Sequence, residues 1–100
     1  MPNLGMIREE ETKATTIDDS FYNVIMHNDP KTWFEYVEWI LNEVFNYNDV
    51  EAEKIALYIH KHGQAIVATC SESVAYEKME LVNTFYEIFE QCLQVSVEEA

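Results

Sequence analysis

"YNVIMHNDPKTWFEYV", Tyr22 to Val37, holds the junction on which the fold turns. The run "FYNVIM", Phe21 to Met26, is rich in β-formers, the signature of a strand. Asn28-Asp29-Pro30 then breaks the run with turn residues, and proline removes a backbone donor. Thr32 with Glu35 three residues later has the spacing of a capping box, so a helix is expected to open there. Val37, Ile40, Leu41, Val44 and Phe45 continue at intervals of three and four, to an end near "NYND". The stretch therefore predicts strand, tight turn and helix in quick succession.

Downstream, Asn48 and Glu51 repeat the capping-box spacing. Ala52, Ile55, Ala56 and Ile59 share one face of the helix that follows. His60, Lys61 and His62 fill its last turn, where positive charge suits the helix dipole, and Gly63 stands where a left-handed cap is needed. "QAIVATC" reads as a second strand. Ser71 opens a long helix through Val74, Ala75, Met79, Val82, Phe85, Tyr86 and Phe89. "CLQVSV" alternates Leu93, Val95 and Val97 with polar neighbours, as a half-buried strand does. The expected order is β-α-α-β-α-β, an α+β sandwich with an antiparallel-type sheet of three strands and three helices on one face. Residues 1–20 lack periodicity and read as a loose extension. Residues 21–100 form the single core that a chain of 100 residues allows.

Composition removes several classes of function. Nineteen acids against six bases give a net charge of −13. That disfavours nucleic-acid backbones and anionic membranes and favours cationic partners. Two glycines, Gly5 and Gly63, leave no phosphate-binding loop, and no serine sits in a G-x-S-x-G elbow. Cys70 and Cys92 have no metal spacing, and His60 and His62, two apart on a helix, point to different faces, so no metal or cofactor is expected. No apolar run is long enough to span a membrane. With no signal-peptide core near the N-terminus, a cytoplasmic protein that is not an enzyme is the expectation. What remains is a binding surface: Asn28 and Asp29 beyond a strand end, Phe34 and Val37 on one helix, Ala56, Ile59 and His60 on the next. On spacing alone the apolar members read equally as core, and Asn28-Asp29 as an Asx-type turn.

"VIMHNDPKTWFEYVEWIL", "AEKIALYIHKHGQAIVAT", "YEKMELV" and "CLQV" together resemble the ClpS family of Clp protease adaptors, from about Tyr22 to Val97. Asn28, Asp29, Thr32, Glu35, Val37, His60, Gly63 and Lys78 stand as in the family pattern. The resemblance implies a fold similar to the C-terminal domain of the ribosomal stalk protein. It also implies an adaptor that binds N-degrons, free N-terminal Leu, Phe, Tyr or Trp residues, and delivers them to the N-terminal domain of a ClpA-type AAA+ unfoldase. By the same resemblance Asn28, Asp29 and His60 would meet the substrate's α-amino group and backbone. Thr32, Phe34, Val37, Ala56, Ile59 and Leu93 would line the hydrophobic pocket, and Glu72, Glu77 and Lys78 would lie in the unfoldase-docking patch. The chain departs from the family at Pro30, where a second acid is usual, at Phe34 and Ala56, where Met is usual, and at Lys31, Trp33 and Tyr76. Pro30 and Ala56 motivate an alternative, a regulatory domain that docks the unfoldase without binding N-degrons. The trio His27, His60 and His62 motivates a third, an enzyme or metal protein.

Overall fold

The computed structural model describes residues 20–91 and 93–100; the N-terminal extension up to residue 19 and Cys92 lie outside it. The order is β1 (Tyr22–His27), α1 (Phe34–Glu43), α2 (Asp49–His62), β2 (Gln64–Cys70), α3 (Glu72–Phe89) and β3 (Gln94–Glu99). The sheet runs β2-β1-β3, and both pairings are antiparallel. This is the α+β arrangement expected. Helices α2 and α3 lie against the strands, and α1 packs chiefly on α2. Val24 and Met26 of the central strand, Ile40 and Leu41 of α1, Ile55 and Ile59 of α2, Val67 of β2 and Val82 of α3 form one buried core. Alternation along β1 and the three-and-four spacing on the helices direct these side chains inward.

Local signals explain most of the boundaries. Asn48 and Glu51 form the reciprocal capping box at the head of α2: the Asn48 amide donates to Glu51 Oε1 at 3.0 Å, and the Glu51 amide donates to Asn48 Oδ1 at 2.8 Å. Gly63 ends the helix at φ +94°, a conformation that costs glycine little and other residues more. Ser71 Oγ accepts from the Val74 amide at the start of α3. One residue is inserted in β2 between the partners of Val24 and Ile25. At this bulge the Val67 carbonyl accepts from the Tyr47 hydroxyl at 2.8 Å, tying the α1–α2 loop to the sheet.

Two expectations are corrected. The Thr32–Glu35 capping box does not form, because Trp33 is the N-cap, with extended backbone and no side-chain cap. The Thr32 amide donates to the Asp29 carbonyl at 3.0 Å, which prolongs the turn, and the Trp33 amide donates to Gln91 Oε1 at 3.2 Å. The expected last strand, "CLQVSV", begins at Gln94 among the described residues. Pairing in register from His27 with Gln94 to Tyr22 with Glu99 sets its limits, and Leu93 is buried just before it.

Candidate functional site

The β1–β2 ladder does not stop at its last strand pair, His27 with Gln64. The Asn28 amide donates to the Gly63 carbonyl at 2.8 Å and carries the pairing one step further. Gly63 ends α2, so this bond brings the turn after β1 to the last turn of α2, where His60 lies. Packing of α1 on α2 then closes the space between them. Ala52 and Ala56 are small and buried, which allows the two helices to approach.

The result is a cavity of about 560 Å³ lined by Asn28, Asp29, Pro30, Thr32, Phe34, Val37, Ala56, Leu57, Ile59 and His60. The volume lies within the range of small-molecule pockets. Val37, Ala56 and Ile59 are buried and give apolar walls, while Asn28 and His60 are exposed at its polar side. The Asp29 carboxylate has one oxygen committed: Oδ1 accepts from the Lys31 amide at 2.7 Å in an Asx turn. Turn chemistry and a place at the cavity thus coexist in the same residue. Its charge stays at the rim and adds a negative field there. Chemically, the arrangement offers hydrogen-bond acceptors beside an apolar recess, which suits a ligand with a cationic head and a hydrophobic tail.

Of the pocket residues expected from the sequence, Leu93 alone does not line this cavity. It is buried and belongs to a different depression, with His27, Asn83, Tyr86, Gln94, Val95 and Ser96. Leu57 lines the main cavity and was not singled out; Pro30, noted above as a departure from the family pattern, lines it too. Leu57 is 47% exposed, and its place one turn before His60 was the available signal. Glu72 and Glu77 are exposed on α3. Lys78, expected beside them in a surface patch, is instead 8% exposed, and its ammonium donates to the Val44 carbonyl at 2.9 Å. The histidines do not converge. His27 Nε2 is 2.8 Å from Ser96 Oγ, and His62 Nδ1 is 3.1 Å from the Tyr58 carbonyl. Among the described residues no cluster of three His, Cys, Asp or Glu could hold a metal ion, and no helix is long and apolar enough to cross a membrane.

Comparison with known proteins follows the same lines. The model of the family described as "ATP-dependent Clp protease adaptor protein ClpS" matches residues 18–96. The ATP-dependent Clp protease adapter protein ClpS of Shewanella loihica is 34% identical over 102 residues, covering 100% of both chains. That of Edwardsiella ictaluri is 31% identical over 98 residues, covering 98% of this chain and 92% of its own. Among solved structures, Agrobacterium tumefaciens ClpS2 bound to L-phenylalaninamide superimposes with a TM-score of 0.79. It covers 83% of this chain and 100% of its own at 23% identity, a likeness of fold.

Proposed function

The chain belongs to the ClpS family of ATP-dependent Clp protease adaptors, and from that premise we propose that its cavity captures the free amino terminus of proteins that begin with a bulky hydrophobic residue. The observation that carries this reading is the pairing of Asn28 and His60 beside an apolar recess, held together by the Asn28–Gly63 backbone bond. An α-amino group is cationic at neutral pH, with a reference pKa of about 8. Its N–H groups donate to the Asn28 side-chain oxygen and to an unprotonated His60 nitrogen, and Asp29 adds attraction through its charge. The first side chain, Leu, Phe, Tyr or Trp, enters between Phe34, Val37, Ala56 and Ile59. Burying a Leu or Phe contributes roughly 1.5–3 kcal/mol. The L-phenylalaninamide of the similar Agrobacterium structure has this chemistry, a free α-amino group beside a benzyl side chain.

Nothing in this reading asks for catalysis, a cofactor or a metal. The adaptor holds the substrate and hands it to a ClpA-type AAA+ unfoldase in the cytoplasm. We assign docking of the unfoldase N-terminal domain to the exposed Glu72 and Glu77, with Lys78 fixing the helix that presents them. Leu93 supports the pocket from within the core.

Calorimetric titration with a peptide beginning in Phe tests the reading. Saturable 1:1 binding, lost on N-acetylation, is the expected result. If the free and acetylated peptides behave alike, the chain is instead a regulatory domain that docks an unfoldase without reading amino termini.

A further inference from the structure

Beside the cavity, and separated from it by the first turn of α1, lies a groove lined by Trp33, Glu35, Tyr36, Trp39 and Phe89. The chain alternates between the two: Thr32 and Phe34 line the cavity, Trp33 and Glu35 the groove. The groove is built from interlocked rings. Trp39 meets Phe85 and Phe89 edge-on at 5.1 and 5.4 Å, and Tyr36 meets Phe89 at 6.1 Å. Yet among the described residues nothing covers the aromatic surface. Trp33 is 68% exposed and Phe89 48%. Below it, the Tyr36 hydroxyl is buried and has no hydrogen-bond partner among the described residues.

The charges on the stretches of α1 and α3 that line the groove are acidic. Glu35 is part of its wall. Glu38 lies one turn further along α1 but toward α2, where burial together with Glu53, Glu35 and Asp49 raises its carboxyl above the usual range. Neither α1 nor the stretch of α3 from Leu81 to Phe89 carries a basic residue. Lys31 lies two residues ahead of Trp33, and Lys78 is held at Val44. A second copy of this acidic chain would meet repulsion here. A cationic segment would meet attraction, and its guanidinium or ammonium groups can also stack on Trp33 and Trp39.

We propose that this groove is a docking surface for a cationic peptide segment of a partner protein, one that seats a large apolar side chain against Trp33, Tyr36, Trp39 and Phe89 and flanks it with Lys or Arg facing Glu35. The surface is separate from the amino-terminus cavity, so a partner can occupy it while the cavity is filled.

Trp33 and Trp39 are the two tryptophans of the chain, so intrinsic fluorescence reads the groove directly. The probe is a peptide with N-acetyl and C-amide ends and the core Lys-Arg-Leu-Leu-Arg-Lys, blocked so that it cannot present an α-amino group. Titration into the full chain should give a saturable fluorescence change that weakens about tenfold or more between 50 mM and 500 mM salt. Glu35→Gln should weaken it about tenfold, and Trp33→Ala, at an exposed site, should do the same without altering the melting curve. Asn28→Ala should leave it unchanged. The proposal is overturned if the blocked peptide gives no saturable change at millimolar concentration, if a Gln-for-Lys/Arg version binds equally well, or if Asn28→Ala removes the signal. Amino-terminus capture is measured independently with the unblocked Phe peptide, so either reading can fail alone.

Discussion

The Lys78 ammonium donates to the Val44 carbonyl at 2.9 Å, joining the middle of α3 to the C-terminal end of α1. It also sits 5.6 Å from the centre of the Phe45 ring. A carbonyl at a helix C-terminus lacks an intrahelical donor, and a cation there also meets the negative end of the dipole. Lys78→Met keeps the aliphatic volume and strands the carbonyl. It should cost about 1–3 kcal/mol, read as a lower Tm in calorimetry of the isolated protein. A loss of unfoldase binding with an unchanged Tm would show that this bond contributes nothing to the fold.

On the proposed function, Asn28→Ala and His60→Ala each remove one acceptor for the ligand's amino group. A charge-assisted hydrogen bond is worth roughly 1.5–3 kcal/mol, so affinity for a Phe-initiated peptide should fall about 10- to 150-fold. Both side chains are exposed, and the melting temperature should stay within a few degrees. Calorimetric titration and thermal melts on the same samples check both halves.

At Gly63 the cost of a side chain is conformational. A Cβ there meets nothing within 4 Å, but φ is +94°. Gly63→Ala should therefore cost about 1–2 kcal/mol, and Gly63→Asn less, since asparagine tolerates the left-handed region better. Gly63 also receives the Asn28 amide, so any displacement of its carbonyl moves the cavity rim. Denaturant melts should rank Gly above Asn above Ala, with peptide affinity following the same rank.

Glu38 is held above the ordinary carboxylate range first by burial, then by Glu53, Glu35 and Asp49. The folded chain thus favours the neutral form. That contribution is fully present below the unfolded value and is lost as pH rises through the raised folded value. Glu38→Gln is neutral at every pH. It should be more stable than the parent at pH 7, with the advantage shrinking on acidification and gone below about pH 4. Melts from pH 3 to 8 give the comparison directly.

Tyr36→Phe removes a hydroxyl that is buried with no partner among the described residues. An unsatisfied buried polar atom costs about 1–3 kcal/mol, so the substitution should raise stability and leave the ring contacts with Trp39 and Phe89 in place. A lower Tm in the variant would mean the hydroxyl has a partner in solution.

Signals confined to a few neighbouring residues were legible in the sequence. Asn48 with Glu51, Ser71, and Gly63 each act within one helical turn, and each ends or begins an element where its chemistry requires. Thr32 and Glu35 have the same spacing as Asn48 and Glu51 and do not behave alike. The difference lies in the turn, where the Thr32 amide that Glu35 would take donates to the Asp29 carbonyl, and in Gln91, 58 residues from Trp33 in the chain, whose side chain takes the Trp33 amide. No local reading contains that contact. Lys78 was illegible for the same reason: a lysine between Glu77 and Met79 reads as surface until α1 ends against it. At the cavity, strand end and helix faces could be laid side by side from spacing, and the family resemblance brought them together. Leu57 escaped because half of its surface is exposed, and Leu93, which the family resemblance assigned to the pocket, lines a different depression.

The bond from Asn28 to Gly63 has a kinetic meaning as well. It joins residues 35 positions apart, and β1 must find Gln64–Cys70 before it can form. Contacts of such separation carry a loop-closure cost and form late and together. The cavity is thus a property of the completed chain and not of any fragment of it. A copy that is still folding, or has begun to unfold at β1, holds no cavity and drops whatever it carried. Hydrogen exchange at the Asn28 amide should then occur only with opening of the sheet, making that single proton a reporter of whether a given molecule can bind at all.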